Sequence, residues 1–209
     1  MKINYLNNNF NFSFIRHGQT SWNKEERLNS TTDISITEDG RNQILASIEY
    51  LKKLNFSRII SSPMIRTLET AEIIKSYLNI PLYTDKRLVE VNFGEFEGKT
   101  AEELLADKSF RNIYLEWIDD TNPKFPPQCE TYENSANRII HALLDLSSLN
   151  GRTLIVTHGA IIRILISVLF LKVPASYFRR LVIDNGSISS VGFLPNISDL
   201  YIECINHLE

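Results

Sequence analysis

The sequence predicts an α/β fold: a three-layer α/β/α sandwich whose central sheet is mostly parallel, with helices on both faces. Three observations carry that expectation. Strand-patterned and helix-patterned segments alternate along the chain, as βαβ units require. The stretch "RTLIVTH" (152–158) is apolar on both sides of the pleat, as a central parallel strand should be. And 209 residues, 43% hydrophobic and 22% charged, suffice to bury a sizeable core without covalent staples.

The elements follow in order. In "FNFSFIRHGQTSWN" (10–23), Phe10, Phe12 and Phe14 alternate with Asn11 and Ser13, which predicts a half-buried strand ending at Arg16-His17-Gly18. The preceding "NYLNNNFN" reads as a polar leader. Thr37-Glu38-Asp39 caps a helix through Ile44, Leu45, Ile48 and Leu51. "SRIIS" (57–61) is a strand, and Pro63 opens a helix over 63–78 with Ile65, Leu68, Ile74 and Leu78 inward. "NIPLY" returns as a strand, and 85–100 is irregular with two glycines. Helical patterns follow near 100–106 and 109–118, then a Pro-rich loop, "DDTNPKFPPQ", and a long helix over about 131–149. After the strand at 152–158, Gly159 turns the chain into a helix over 160–171. The tail, about 179–205, reads as two or three strands around Asp184-Asn185-Gly186. With no linker in sight, residues 1–209 are expected to form a single domain, with an insertion at about 85–130 over the functional edge of the sheet.

Composition excludes several function classes. A formal net charge of -3 argues against a general nucleic-acid binder or a membrane-surface binder. The most apolar run, 160–173, is too short to span a bilayer and contains Arg163 and Lys172. The two cysteines, Cys129 and Cys204, form no CxxC pair, and no metal-ligand spacing appears. With no apolar stretch at the N-terminus, a cytoplasmic, reducing location is the expectation. The apolar tail strands either finish the sheet or pair with a second copy, which leaves a homodimer open.

The chemistry collects where three strands end: "FIRHG" (14–18), "IISSPMIR" (59–66) and "VTHG" (156–159). If these strands are parallel, one sheet edge gathers Arg16, His17, Arg66 and His158, where α/β sheets bind ligands. Two guanidiniums and two imidazoles around one point are costly unless an anion sits among them. Arg forks match phosphate oxygens, and Gly18 and Gly159 let the backbone come close. A histidine adds a neutral nitrogen nucleophile, and the neighbouring arginines disfavour its protonation. His17 is therefore the candidate acceptor of a phosphoryl group. Glu90, a carboxyl among apolar neighbours in "RLVEVNFGEFEG", is the candidate acid for the leaving oxygen. Singly, each of these residues has a structural or solvated alternative, Glu90 most of all beside Glu95 and Glu97; only the joint strand-end pattern lifts them above it.

"RHGQTSWN" resembles the signature of the histidine phosphatase superfamily, the phosphoglycerate mutase-like family. "RLNSTTDISITEDG", "SSPMIRTLETA", "LVEVNFGEFEGKT" and "IVTHGAIIR" resemble its later blocks in order. The resemblance implies the family's fold, a metal-free and cofactor-free reaction, and a small phosphorylated metabolite as substrate. It implies His17 as the phosphorylated nucleophile and Glu90 as the proton donor. Arg16, Arg66 and His158 would hold the phosphoryl oxygens. It also implies phosphate or substrate contacts for Asn23, Gln19, Thr20 and Gly159. Departures lie at Asn29-Ser30, where many relatives have Gln-Gly, and in "PPQCETYENS", where Cys129 and Thr131 replace Gly and Ser.

Within the family, Ala160 after "HG" and the "EVNFGEFEG" block resemble the phosphatase branches, among them α-ribazole phosphatase-like and broad-specificity members. Hydrolysis of a phosphomonoester is the expectation. Lys86, Arg87 and Lys99 keep a phosphoglycerate pocket open. The alternatives are mutase-type phosphoryl transfer, a phosphate-binding module without turnover, and a metal-dependent hydrolase, which the flanking arginines disfavour.

Overall fold

A computed structural model describes residues 11–119, 121–194 and 199–208. Phe10 and the polar leader lie outside the described residues. One six-stranded sheet organises the chain. Its strands are β1 (Asn11–Arg16), β2 (Phe56–Ser61), β3 (Leu82–Thr84), β4 (Arg152–Thr157), β5 (Ile188–Leu194) and β6 (Asp199–His207), in the order β3-β2-β4-β1-β5-β6. β3, β2, β4 and β1 run parallel; β5 and β6 are antiparallel additions beside β1. The helices are α1 (Ser21–Lys24), α2 (Glu38–Lys53), α3 (Ile65–Leu78), α4 (Ala101–Ala106), α5 (Arg111–Trp117), α6 (Tyr132–Leu146) and α7 (Gly159–Leu165).

The pleat sorts side chains into two cores. Ile15, Ile59, Leu154 and Val156 face α2 and α3, packing on Ile44, Ile48, Leu51 and Ile74. Phe12, Phe14, Ile60 and Ile155 face α6 and α7, together with Leu88, Val91, Phe93, Phe96 and Trp117 from the 85–130 segment. The alternation in β1 signals something other than half-burial. Residues 12–15 are all buried, and Ser13 is satisfied by Ser190, Oγ to Oγ 2.7 Å, on the neighbouring strand. A central strand tolerates a polar residue when a partner strand answers it.

Other boundaries moved for local reasons. The first turn of α3 begins at Ile65, because the Ile65 N–H is capped from a distance by Asp33 Oδ1 at 2.6 Å. α1 carried no hydrophobic periodicity; a reciprocal cap between Thr20 and Asn23 makes it. The helix after β4 runs α-helical over 159–165 and continues as a π-helical turn over 166–170. Asp184-Asn185-Gly186 precedes β5 as a turn, closed by Ser187 N–H to Asp184 O at 3.2 Å, so no strand lies before it in the tail. No helix among the described residues is long and apolar enough to cross a membrane.

Candidate active site

Parallel register places the ends of β1, β2 and β4 together: Arg16 pairs with Thr157, and Ser61 with Val156. The residues just past those ends therefore converge. The His17 and His158 rings meet edge to face, with centroids 5.3 Å apart. Gly18 is required where the chain turns under them. A Cβ there would lie 2.5 Å from the Gly40 carbonyl oxygen, and one on Gly40 would lie 2.4 Å from that of Gln19. Two backbones touch at this point, and the Gly18 N–H is taken by Thr70 Oγ1 at 3.0 Å.

His17 is buried, and its Nδ1 lies 2.8 Å from the Gly18 carbonyl. A carbonyl only accepts, so Nδ1 carries the proton and Nε2 keeps its lone pair. Burial, then the charges of Arg16 and Arg66, hold its pKa well below the usual imidazole range. His158 is fully buried and its pKa is depressed likewise, by burial and then Arg66. Its Nδ1 accepts from Arg66 Nε at 3.3 Å, so the proton sits on Nε2, 2.9 Å from Ser62 Oγ. The two histidines are thus neutral in opposite tautomers, one offering a lone pair and the other an N–H.

Both arginines are tied to backbone carbonyls. Arg66 is fully buried and donates to Ser30 O at 2.8 Å and Thr32 O at 3.0 Å. That loop is in turn gripped by Glu97, which accepts from Ser30 N, Ser30 Oγ and Thr32 N. Arg16 donates to Ile183 O at 2.7 Å, while its Nε is buried with no hydrogen-bond partner. Burial and the nearby Arg163 lower its pKa to about 10, which leaves it charged. Gly159 makes room for it: a Cβ there would meet Arg16 Nε at 3.0 Å. Glu90 accepts from Val91, Ala160 and Ile161 N–H at 3.0–3.2 Å, which seats its carboxyl on the first turn of α7. Its backbone is clamped by Arg138, which donates to the carbonyls of Arg87, Val89 and Glu90.

Arg16, His17, Arg66, Glu90, His158 and Gly159 thus come together as one cluster. Asn23, Gln19 and Thr20 take a supporting position. The Thr20 hydroxyl caps α1, and Asn23 Oδ1 accepts from Thr20 N and Asn185 Nδ2. The Gln19 carbonyl accepts from Thr37 N at 2.7 Å. Asn185 also binds the His17 carbonyl, at 2.9 Å. Sequence reasoning missed Ser62, Glu97, Arg138, Asn185 and Arg163. Glu97 read as one solvated acid among several, and only a loop with spare amide donors reveals its task. Arg87 is bound by Asp85 and Asp145, and Lys99 lies over Phe110, so each has a partner of its own. Burial pushes the Cys129 thiol up to about 12, which makes it no nucleophile. Among the described residues, no group of three or more His, Cys, Asp or Glu is placed to hold a metal ion.

The model of the histidine phosphatase superfamily (branch 1) matches residues 12–199. The chain belongs to the histidine phosphatase superfamily. A curated relative, a probable phosphoglycerate mutase GpmB from Erwinia tasmaniensis, is 36% identical over 179 residues, covering 85% of this chain and 82% of its own. Among solved structures, a mycobacterial glucosyl-3-phosphoglycerate phosphatase with bound VO3 aligns with a TM-score of 0.80 at 26% identity, over 94% of this chain and 98% of its own. A phosphoserine phosphatase from Entamoeba histolytica, in complex with 3-phosphoglyceric acid, also gives 0.80 at 26%, over 95% and 98%. This histidine phosphatase superfamily member therefore carries the family's fold and matches an enzyme superfamily that includes phosphatases and a named mutase.

The buried neutral imidazoles set an acid limit on stability. The unfolded chain protonates His17 and His158 near pH 6.5, while the folded chain does so only well below it. Below 6.5 the unfolded state therefore binds more protons, so stability is intact above that pH and falls as pH drops through it. Each histidine contributes a slope of up to about 1.4 kcal/mol per pH unit. Urea midpoints between pH 7.5 and 5 are expected to fall, and to fall less steeply in His158→Gln.

Proposed function

We propose that this chain is a phosphomonoester hydrolase that acts on a small phosphorylated metabolite through a phosphohistidine on His17. The observation that carries the reading is the His17 imidazole: neutral, oriented by Gly18 O, its Nε2 lone pair uncommitted, between two guanidiniums. Nε2 attacks phosphorus and the bond to the leaving oxygen breaks, while Glu90 gives that oxygen a proton. In the second half, Glu90 takes a proton from water, the water oxygen attacks phosphorus, and the N–P bond breaks to restore neutral His17. Arg16, Arg66 and the His158 Nε2–H, which passes from Ser62 Oγ to the substrate, stabilise the phosphoryl oxygens. Gly159, Asn23, Gln19 and Thr20 shape the pocket. The reaction draws on no metal and no cofactor, and the cytoplasm is the proposed location.

The names of the structural relatives support the hydrolase reading; that of the Erwinia relative favours mutase-type transfer as the second. Phosphate release from p-nitrophenyl phosphate and from 3-phosphoglycerate, with and without EDTA, separates them. Release unaffected by EDTA is expected. Isomerised phosphoglycerate without free phosphate makes the chain a mutase. Loss of rate in EDTA makes it metal-dependent, and inertness toward both compounds leaves a binding module.

A further inference from the structure

Two more guanidiniums continue the line that Arg16 begins, and the reaction proposed above uses neither. Arg163 sits one turn into α7 and donates through Nε to Gly159 O at 3.0 Å, on the residue that Arg16 lies against. Its guanidinium is 5.4 Å from the Phe178 ring centroid. Arg179 also stacks on Phe178, at 4.9 Å, and on Trp117 and Tyr132, at 4.3 and 5.3 Å. Its Nη2 donates to Trp117 O at 3.1 Å and to the Tyr132 hydroxyl, while Nη1 is buried with no hydrogen-bond partner. Aromatic faces hold such a cation flat and leave its N–H edges for an anion.

The charges do not balance. Arg163 is close enough to Arg16 to lower its pKa, and Arg179 is close enough to lower that of Arg163. The acid that opposes this on Arg163 is Glu90, which also acts on Arg16 and Arg66; Arg16 has Asp184 besides, and Arg66 has Asp33 and Glu97. Among the described residues, no ion pair involves Arg163 or Arg179. A phosphoryl group on Arg16 and Arg66 leaves Arg163 with Glu90 alone and Arg179 with no ion-pair partner among the described residues, and a desolvated cation without a full counter-charge is costly.

We propose that Arg163 and Arg179 form a second anion subsite beside Glu90, so that the substrate is a phosphomonoester whose leaving alcohol carries a carboxylate or a second phosphate. The placement rests on the phosphoryl-transfer reading. In-line displacement puts the leaving oxygen opposite His17, where Glu90 protonates it, so cations beside Glu90 meet the alcohol.

Glycerol 3-phosphate and 3-phosphoglycerate share a skeleton and differ by a hydroxymethyl against a carboxylate. Their dissociation constants for His17→Ala protein, which cannot form the phosphoenzyme, are measured by calorimetry. The carboxylate compound is expected to bind about tenfold tighter or better, as charge-assisted pairs allow. Adding Arg163→Met is expected to bring the ratio near one, and adding Arg179→Met to cut it at least by half. Where Arg179→Met fails to fold, Arg179→Lys keeps the charge without the planar fork and is expected to cut the ratio as well. A ratio near one before either substitution, or a ratio that neither substitution changes, overturns the subsite. Turnover of p-nitrophenyl phosphate by the wild-type chain, a compound with no second anion, reads the hydrolase proposal separately.

Discussion

His17→Ala is expected to abolish turnover of alkyl phosphates, by a factor of about 10⁴ or more, and to leave the fold standing. The loss is that large because no neighbour can take over. The other imidazole, His158, already accepts from Arg66 at Nδ1 and carries its proton on Nε2, so it has no lone pair to offer phosphorus. The fold survives because the ring contributes one hydrogen bond, to the Gly18 carbonyl. Losing it costs about 1 kcal/mol. Initial rates on an alkyl phosphate, with a urea midpoint for each protein, check both halves. A residual rate within about tenfold of wild type would remove His17 from the chemistry.

Glu90→Gln is expected to divide substrates by their leaving groups. Alkyl phosphates need the proton that Glu90 supplies and are expected to slow by about 10²–10⁴. The p-nitrophenolate ion leaves without help, so its first turnover is expected to slow by less than about tenfold. The second half-reaction still needs a base for water. The variant is therefore expected to give a burst of about one p-nitrophenolate per chain and then a slow steady state. Stability also changes, because Glu90 accepts from the amides of Val91, Ala160 and Ile161. The carboxamide offers those donors one oxygen in place of two, and an orphaned amide costs about 1–3 kcal/mol. Stopped-flow absorbance reads the burst. Equal slowing on both substrate types would assign the acid elsewhere.

Much of this architecture was legible because the sequence spells it in local patterns. The apolar strand at 152–158, the Thr37 cap and the amphipathic stripes of α2 and α6 each specify their element within a few residues. The cluster of Arg16, His17, Arg66 and His158 was legible because each stands at or shortly after a strand end, and parallel register does the rest. The sheet-wide and loop-borne features escaped. Burial of Ser13 depends on Ser190, 177 residues on, and no window around β1 contains that answer. α1 has no apolar stripe and rests on one reciprocal cap. Glu97 holds the loop that Arg66 donates to and Arg138 the loop that presents Glu90, and both do so largely through backbone groups, which a side-chain pattern does not show. Arg163 stood inside a recognised block, yet its meaning came from Arg179, which lies in a turn of 3₁₀ helix at 175–180 with no motif of its own.

The central claim is that phosphorus is transferred to His17 Nε2, and mass spectrometry of the rapidly quenched enzyme tests it most directly. Wild-type protein is mixed with excess p-nitrophenyl phosphate, quenched in alkali, where phosphohistidine survives, and digested. The predicted result is one phosphoryl group on the peptide that carries His17, lost on acid treatment and accumulating further in Glu90→Gln. Turnover without any phosphopeptide, or with the phosphoryl group on another residue, would contradict it.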